Sequence, residues 1–124
     1  MNENDRHRQG RELRVAVLGA PHVERAESLD TPLNRALQDL TTRYGWGESW
    51  SRPSLDLSTR SLVTVAMLIA LGRPEELCVH LRGALRNGAS REQIEAVVLH
   101  AAIYCGLPAA HAAARLAEKV LTET

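Results

Sequence analysis

Helix starts and stops recur along the whole chain, and strand signals do not. Residues 6–18 suit an amphipathic helix stopped by Gly19, and residues 21–28 suit a short second one. Asp30-Thr31-Pro32 caps a third helix that runs through Leu33, Leu37 and Leu40, with proline at its first position, where a missing N–H costs nothing. Asp56 caps a fourth, and Pro74 opens a fifth that Asn87-Gly88 closes. Ser90-Arg91-Glu92-Gln93 is a capping box for the sixth, which reaches Cys105-Gly106, and a last helix follows Pro108. An all-α, single-domain bundle of about six or seven helices is expected over residues 1–124, with its core over about 30–118.

A chain of 124 residues buries roughly two-thirds of its unfolded surface and needs no covalent staples. The core has to be aliphatic, because the chain holds no Phe and only 3% aromatic residues. The fourth helix, residues 62–71, is apolar on every side, so it is expected to be buried all round. The last helix carries Ala109, Ala110, Ala112, Ala113, Ala114 and Ala117, which lets backbones approach closely. The sixth holds Leu99, Ala102 and Ile103 off its main stripe. That surplus of apolar surface implies a homo-oligomer.

Fifteen basic and fifteen acidic residues cancel, so nothing attracts nucleic acid or an anionic membrane. The apolar run at 62–71 falls well short of the ~20 residues of a membrane span. The polar N-terminus lacks the apolar core of a secretory leader, and a cytoplasmic protein is expected. Cys78 and Cys105 match neither a redox pair nor a zinc spacing, and they are read as reduced thiols. His7, His22, His100 and His111 are scattered without a ligand pattern, so no metal site is expected.

His80 is the strongest pointer to chemistry. It shares a helical face with Leu77, Leu81, Ala84 and Leu85, and a buried imidazole needs a hydrogen-bond partner, a ligand or a task. The plain alternative is a core histidine bonded to a carbonyl. Glu48 is the second candidate. It lies in the only aromatic cluster, Tyr44-Gly45-Trp46-Gly47-Glu48-Ser49-Trp50, where neighbouring indoles would desolvate its carboxyl and raise its pKa towards the range of a working acid or base; otherwise it is a solvated loop charge. Arg60, beside the apolar helix, offers a fork for a substrate carboxylate or is an ordinary first-turn charge. Glu76, one turn before His80, is read as a surface residue, and Arg82, Arg86 and Arg91 as solvated charges.

Several strings in this order extend over nearly the whole chain. They are Arg6-His7-Arg8-Gln9-Gly10, the aromatic cluster through Ser51-Arg52-Pro53, Thr59-Arg60-Ser61-Leu62-Val63-Thr64, Glu76-Leu77 with His80, Asn87-Gly88, and Ile103-Tyr104-Cys105-Gly106-Leu107-Pro108-Ala109-Ala110. Together they resemble the carboxymuconolactone decarboxylase family. The resemblance implies the all-helical fold shared with alkylhydroperoxidase D, assembly as a homo-oligomer (trimer or hexamer), and a place in the protocatechuate branch of the β-ketoadipate pathway. The peroxidase relatives carry C-x-x-C before the histidine, whereas Arg73 and Glu76 stand at those places here. They also supply a glutamate near Arg60-Ser61, and this chain offers Glu48 instead.

The reaction so implied is cofactor-independent decarboxylation of a dicarboxylate lactone, 4-carboxymuconolactone, to 3-oxoadipate enol-lactone and CO2. The substrate is its own electron sink, which explains a decarboxylase without a metal, flavin or pyridoxal signal. His80 is expected to supply the proton or a hydrogen bond, Glu48 to orient it or serve as the acid, and Arg60 to grip a carboxylate. Trp46 and Tyr104 are expected to wall the pocket. The competing readings are a thiol-dependent peroxidase or disulfide reductase using Cys78 or Cys105, and a non-catalytic helical oligomer.

Overall fold

Capping chemistry places the helix ends in the computed structural model, which describes residues 1–123. Helix α1 (Glu3–Leu18) starts where the Asn2 side chain accepts from the Asp5 amide at 2.8 Å, and it stops at Gly19, whose φ of +89° disfavours any residue with a Cβ. Helix α2 (Ala20–Glu27) follows, and α3 (Pro32–Leu40) begins where the Thr31 hydroxyl accepts from the Asn34 amide at 3.1 Å. The chain then continues without a break into a π-helix, Thr41–Trp50. Helices α4 (Leu57–Leu71), α5 (Pro74–Arg86), α6 (Arg91–Tyr104) and α7 (Leu107–Leu121) complete the fold. Asp56 caps α4 by accepting from the Thr59 amide at 2.7 Å. Ser90 and Gln93 cap α6 reciprocally, at 3.0 and 2.9 Å. The fold is all-α as the starts and stops imply, and no strand occurs among the described residues.

Two compact units divide the chain, Met1–Leu55 and the part that begins at Asp56. In the second, α4 to α7 form a four-helix bundle. Its core joins Val65 and Ile69 of α4, Leu77, Leu81 and Ala84 of α5, Ile94, Val98 and Ala101 of α6, and Ala113, Ala117 and Val120 of α7. Each fully buried leucine or isoleucine in that list contributes about 1.5–3 kcal/mol of burial, and the small α7 residues let α6 approach closely. In the first unit α1 packs against the π-helix over most of its length. Val17, Val23 and Trp46 are buried there, and so is Arg14, only 5% exposed, which donates to Gln38 Oε1 at 2.7 Å.

The fourth helix is not buried all round. Its core stripe is Ser61, Val65 and Ile69, whereas Val63, Met67 and Leu71, four residues apart along the opposite stripe, are exposed. Uniform apolarity along the sequence hid this, because it has no period from which to read a covered side. Leu33, Leu37, Leu40 and Tyr44 in the first unit, and Leu99, Ile103 and Leu107 in the second, are likewise exposed. No helix among the described residues is long and apolar enough to cross a membrane.

Ion pairs tie the helices of each unit together and make stability depend on acid. Arg11 grips Glu27 through two bonds, at 3.0 and 2.7 Å, and the hydrogen bond from Arg11 holds the Glu27 carboxyl below its ordinary value. Hydrogen bonds from Arg43 and Arg82 lower Asp39 and Glu123 in the same way. A carboxyl depressed in the folded state stabilises above its unfolded value, ~4, and that stabilisation is lost as pH falls through the folded value. Urea midpoints should therefore fall progressively below about pH 5, and Glu27→Gln should flatten part of that fall. Midpoints independent of pH from about 6 to 3 would contradict the assignment.

Candidate active site

Helix α5 carries His80 at the edge of its apolar stripe. Leu77, Leu81 and Ala84 are buried, whereas His80 is half-buried with its Nδ1 shielded from solvent and Leu85 is partly exposed. The imidazole is thus a rim residue rather than the wholly buried one that the pattern predicts. Leu77 and Leu81 on either side anchor the helix and so fix where the ring stands.

Arg60 occupies the first turn of α4, half-buried, with its Nε shielded from solvent. The next residue, Ser61, is wholly buried, and its hydroxyl accepts from Asn87 Nδ2 at 2.9 Å. This bond ties the start of α4 to the end of α5, so the two helices run antiparallel in fixed register. At 1.5 Å rise per residue, His80 lies roughly 10 Å along the bundle from the Asn87 level. Sequence reasoning missed Ser61 and Asn87 as a register lock, because Asn87 reads as a helix stop and nothing local pairs it with a serine 26 residues earlier.

Tyr104 ends α6 and is 77% exposed, its ring tilted on His100 at 4.9 Å. Both line a cleft of about 530 Å³ together with Ala66, Ala96, Val97, Ala101 and Cys105. Neither His80 nor Arg60 is among the described residues lining it. Glu76 is exposed, as expected. Cys78 is half-buried against the core, Cys105 is exposed, and both are free thiols.

Glu48 and Trp46 belong to the other unit. The aromatic cluster is not a loop, since the π-helix continues α3 through it. Trp46 is 4% exposed and stacks on Trp50 at 4.4 Å between ring centres, so its indole packs inside the unit. Glu48, two residues on, points away from Trp46 by roughly 200° at 3.6 residues per turn and somewhat less in the wider π-turn. Its side chain is 41% exposed, and each oxygen meets a guanidinium: Arg6 Nη1 lies 2.7 Å from Oε2, and Arg52 pairs with Oε1. The expected desolvation between indoles is thus corrected. The Glu48 carboxyl is an accessible group held by two cations.

Arg6 and Arg52 were absent from the sequence reading of this site. For Arg6 the signal is Gly10, isolated inside a helix and one turn later, which implies a close backbone approach on that face, and for Arg52 it is the i,i+4 spacing from Glu48. The structure supplies the contact, because a Cβ on Gly10 would lie 2.1 Å from the Thr42 carbonyl oxygen and 2.7 Å from the Gly47 amide nitrogen.

Comparison with known proteins adds identity to this geometry. The sequence profile of the carboxymuconolactone decarboxylase family matches residues 35–119. A 4-carboxymuconolactone decarboxylase of Acinetobacter baylyi is 45% identical over 123 residues, covering 99% of this chain and 92% of that protein. A nitrosuccinic acid decarboxylase of Metarhizium robertsii is 40% identical over 115 residues, covering 93% of this chain and 80% of its own length.

Proposed function

The chain belongs to the carboxymuconolactone decarboxylase family, and on that footing we propose that it is a carboxy-lyase that converts 4-carboxymuconolactone to 3-oxoadipate enol-lactone and CO2 in protocatechuate catabolism. The near full-length 45% identity to a decarboxylase of that substrate carries the reading.

The substrates named for the two relatives share a skeleton. In the lactone, one ring carbon beside the ring oxygen bears both a carboxylate and a CH2–COO⁻ arm. In nitrosuccinate the same two groups sit on the carbon that carries the nitro group. Each is a succinate with an electron acceptor on the carbon that loses CO2. When the C–COO⁻ bond breaks, its electron pair passes through the ring double bond onto the lactone carbonyl, or onto the nitro oxygens. The dienolate or nitronate then takes one proton on carbon. The substrate supplies the electron sink, so the protein has to bind the retained carboxylate, stabilise the developing oxyanion and deliver a proton.

His80 is assigned the proton or the oxyanion hydrogen bond. A ring half-open on one side and shielded at Nδ1 on the other suits a group that meets substrate while the protein holds its orientation. Arg60, in fixed register with α5, is assigned the carboxylate. Tyr104 is assigned to the pocket wall, and Trp46, buried against Trp50, keeps that role only as support of the half-exposed Trp50 ring. Glu48 is assigned to the same proton transfer as His80. It stands in the other unit, and kinetic coupling rather than a distance is its test.

The exposed apolar stripes on α3, α4 and α6 support a homo-oligomer, a trimer or hexamer, and the two free thiols accord with the reducing cytoplasm. Light scattering should give a multiple of the 13.6 kDa chain.

The purified protein should consume the lactone with release of CO2, and nitrosuccinate more slowly. The double change Cys78→Ala with Cys105→Ala should keep most of the turnover. Thiol-dependent reduction of peroxide that this double change abolishes, without CO2 from either acid, would replace the decarboxylase reading with the peroxidase one.

A further inference from the structure

We propose that Arg6 is a positioning residue, which braces Glu48 from α1 and sets its carboxylate in the one orientation that the proton transfer uses. The inference rests on the assignment of Glu48 to that step.

Three observations carry it. The bond from Arg6 Nη1 to Glu48 Oε2, 2.7 Å long, links residues 42 apart in sequence, so it fixes the carboxylate against a different helix rather than within its own turn. Arg6 is itself held: its side chain is only 24% exposed, its Nε lies 3.5 Å from Glu3, and its guanidinium carbon lies 5.8 Å from the centre of the Tyr44 ring. The backbones beneath the pair touch, because Gly10 and Gly47 carry no Cβ. A Cβ on Gly47 would stand 2.5 Å from the carbonyl oxygen of Arg6. The same residue that reaches Glu48 with its side chain meets the π-helix with its backbone. Arg52, in contrast, is exposed and only four residues from Glu48, just past the end of the π-helix, so its pair with Glu48 is local.

A π-helix of ten residues is uncommon, since most π-helices are single turns. Here the wide turn runs through Gly45 and Gly47, and α1 packs against Gly47. The brace therefore supplies what such a segment lacks by itself, a rigid support for a side chain with three rotatable bonds.

The test is a set of kinetic measurements with 4-carboxymuconolactone on Arg6→Ala, Arg6→Lys, Glu48→Gln and the pair Arg6→Ala with Glu48→Gln, each checked for fold by circular dichroism. Arg6→Ala should lower kcat by about 10- to 100-fold with little change in KM, because misplacement of a reacting group by about 1 Å has that effect. Arg6→Lys, which keeps a cation at that place, should recover part of the loss. In the Glu48→Gln background Arg6→Ala should cost nothing further. Losses that multiply at the two sites, or a folded Arg6→Ala enzyme as fast as the parent, would overturn the proposal alone. Wild-type turnover by Glu48→Gln would remove the assignment of Glu48 and the proposal with it. Should Arg6→Ala fail to fold, Arg6→Lys takes its place in the double comparison: a loss that disappears in the Glu48→Gln background supports the brace, and one that persists there overturns it.

Discussion

Replacing His80 with alanine should lower turnover of 4-carboxymuconolactone by about 10²- to 10⁴-fold, the range for a side chain that moves a proton in the transition state. The fold should survive, because His80 sits at the rim of the bundle while Leu77, Leu81 and Ala84 hold α5 in the core. The loss should fall on kcat, since Arg60 rather than His80 is assigned to hold the ground-state carboxylate. If Glu48 shares the step, Glu48→Gln should show a loss of the same kind, and the double variant should be little slower than the worse single one. Fully additive losses would separate the two residues. A folded His80→Ala enzyme within about threefold of the parent rate would return His80 to a structural role.

Gly10→Ala should be the most damaging small change in the first unit. The added methyl would stand 2.1 Å from one backbone atom and 2.7 Å from another, and backbone cannot swing aside as a flexible side chain can. Helix α1 and the π-helix would have to part by about 1 Å along a contact that is close-packed, at a cost of about 3 kcal/mol or more. Alanine is the better helix former by about 1 kcal/mol, which offsets only part of this. The expected result is a fall of about 10 °C or more in melting temperature. Gly45→Ala is the control: a Cβ there meets nothing within 4 Å, so that variant should melt at or slightly above the parent. Equal melting temperatures for the two variants would show that α1 does not rest on the π-helix in solution.

The helix ends were legible in the sequence because capping is local chemistry. Thr31, Asp56, Ser90 with Gln93, and Gly19 each act within about one turn of the end they define. Partners that come from elsewhere in the chain were not legible. Glu48 reads as a carboxylate among indoles until the helix is built, and only then does it turn away from Trp46 and meet Arg6, 42 residues upstream. The π-helix was not legible either, because the α1 contact beneath it at Gly10, Thr42 and Gly47 joins residues far apart in sequence. His80 was found by its position on a stripe, yet the stripe could not tell the middle of a covered face from its edge. The apolar block at residues 62–71 gave its helix and hid its exposed side for the same reason: with no polar residues to mark a face, burial is decided by how many neighbours the fold supplies.

The central claim is that this chain breaks a carbon–carboxylate bond with the substrate as electron sink and returns a proton to carbon. The direct test is one reaction: protein dialysed against chelator, without thiol or flavin, given 4-carboxymuconolactone in D2O, with gas and product analysed together. The predicted result is one CO2 per lactone consumed and one deuterium on the carbon next to the lactone carbonyl. Consumption that needs an added metal, thiol or flavin, or a product that keeps both carboxylates, would contradict it.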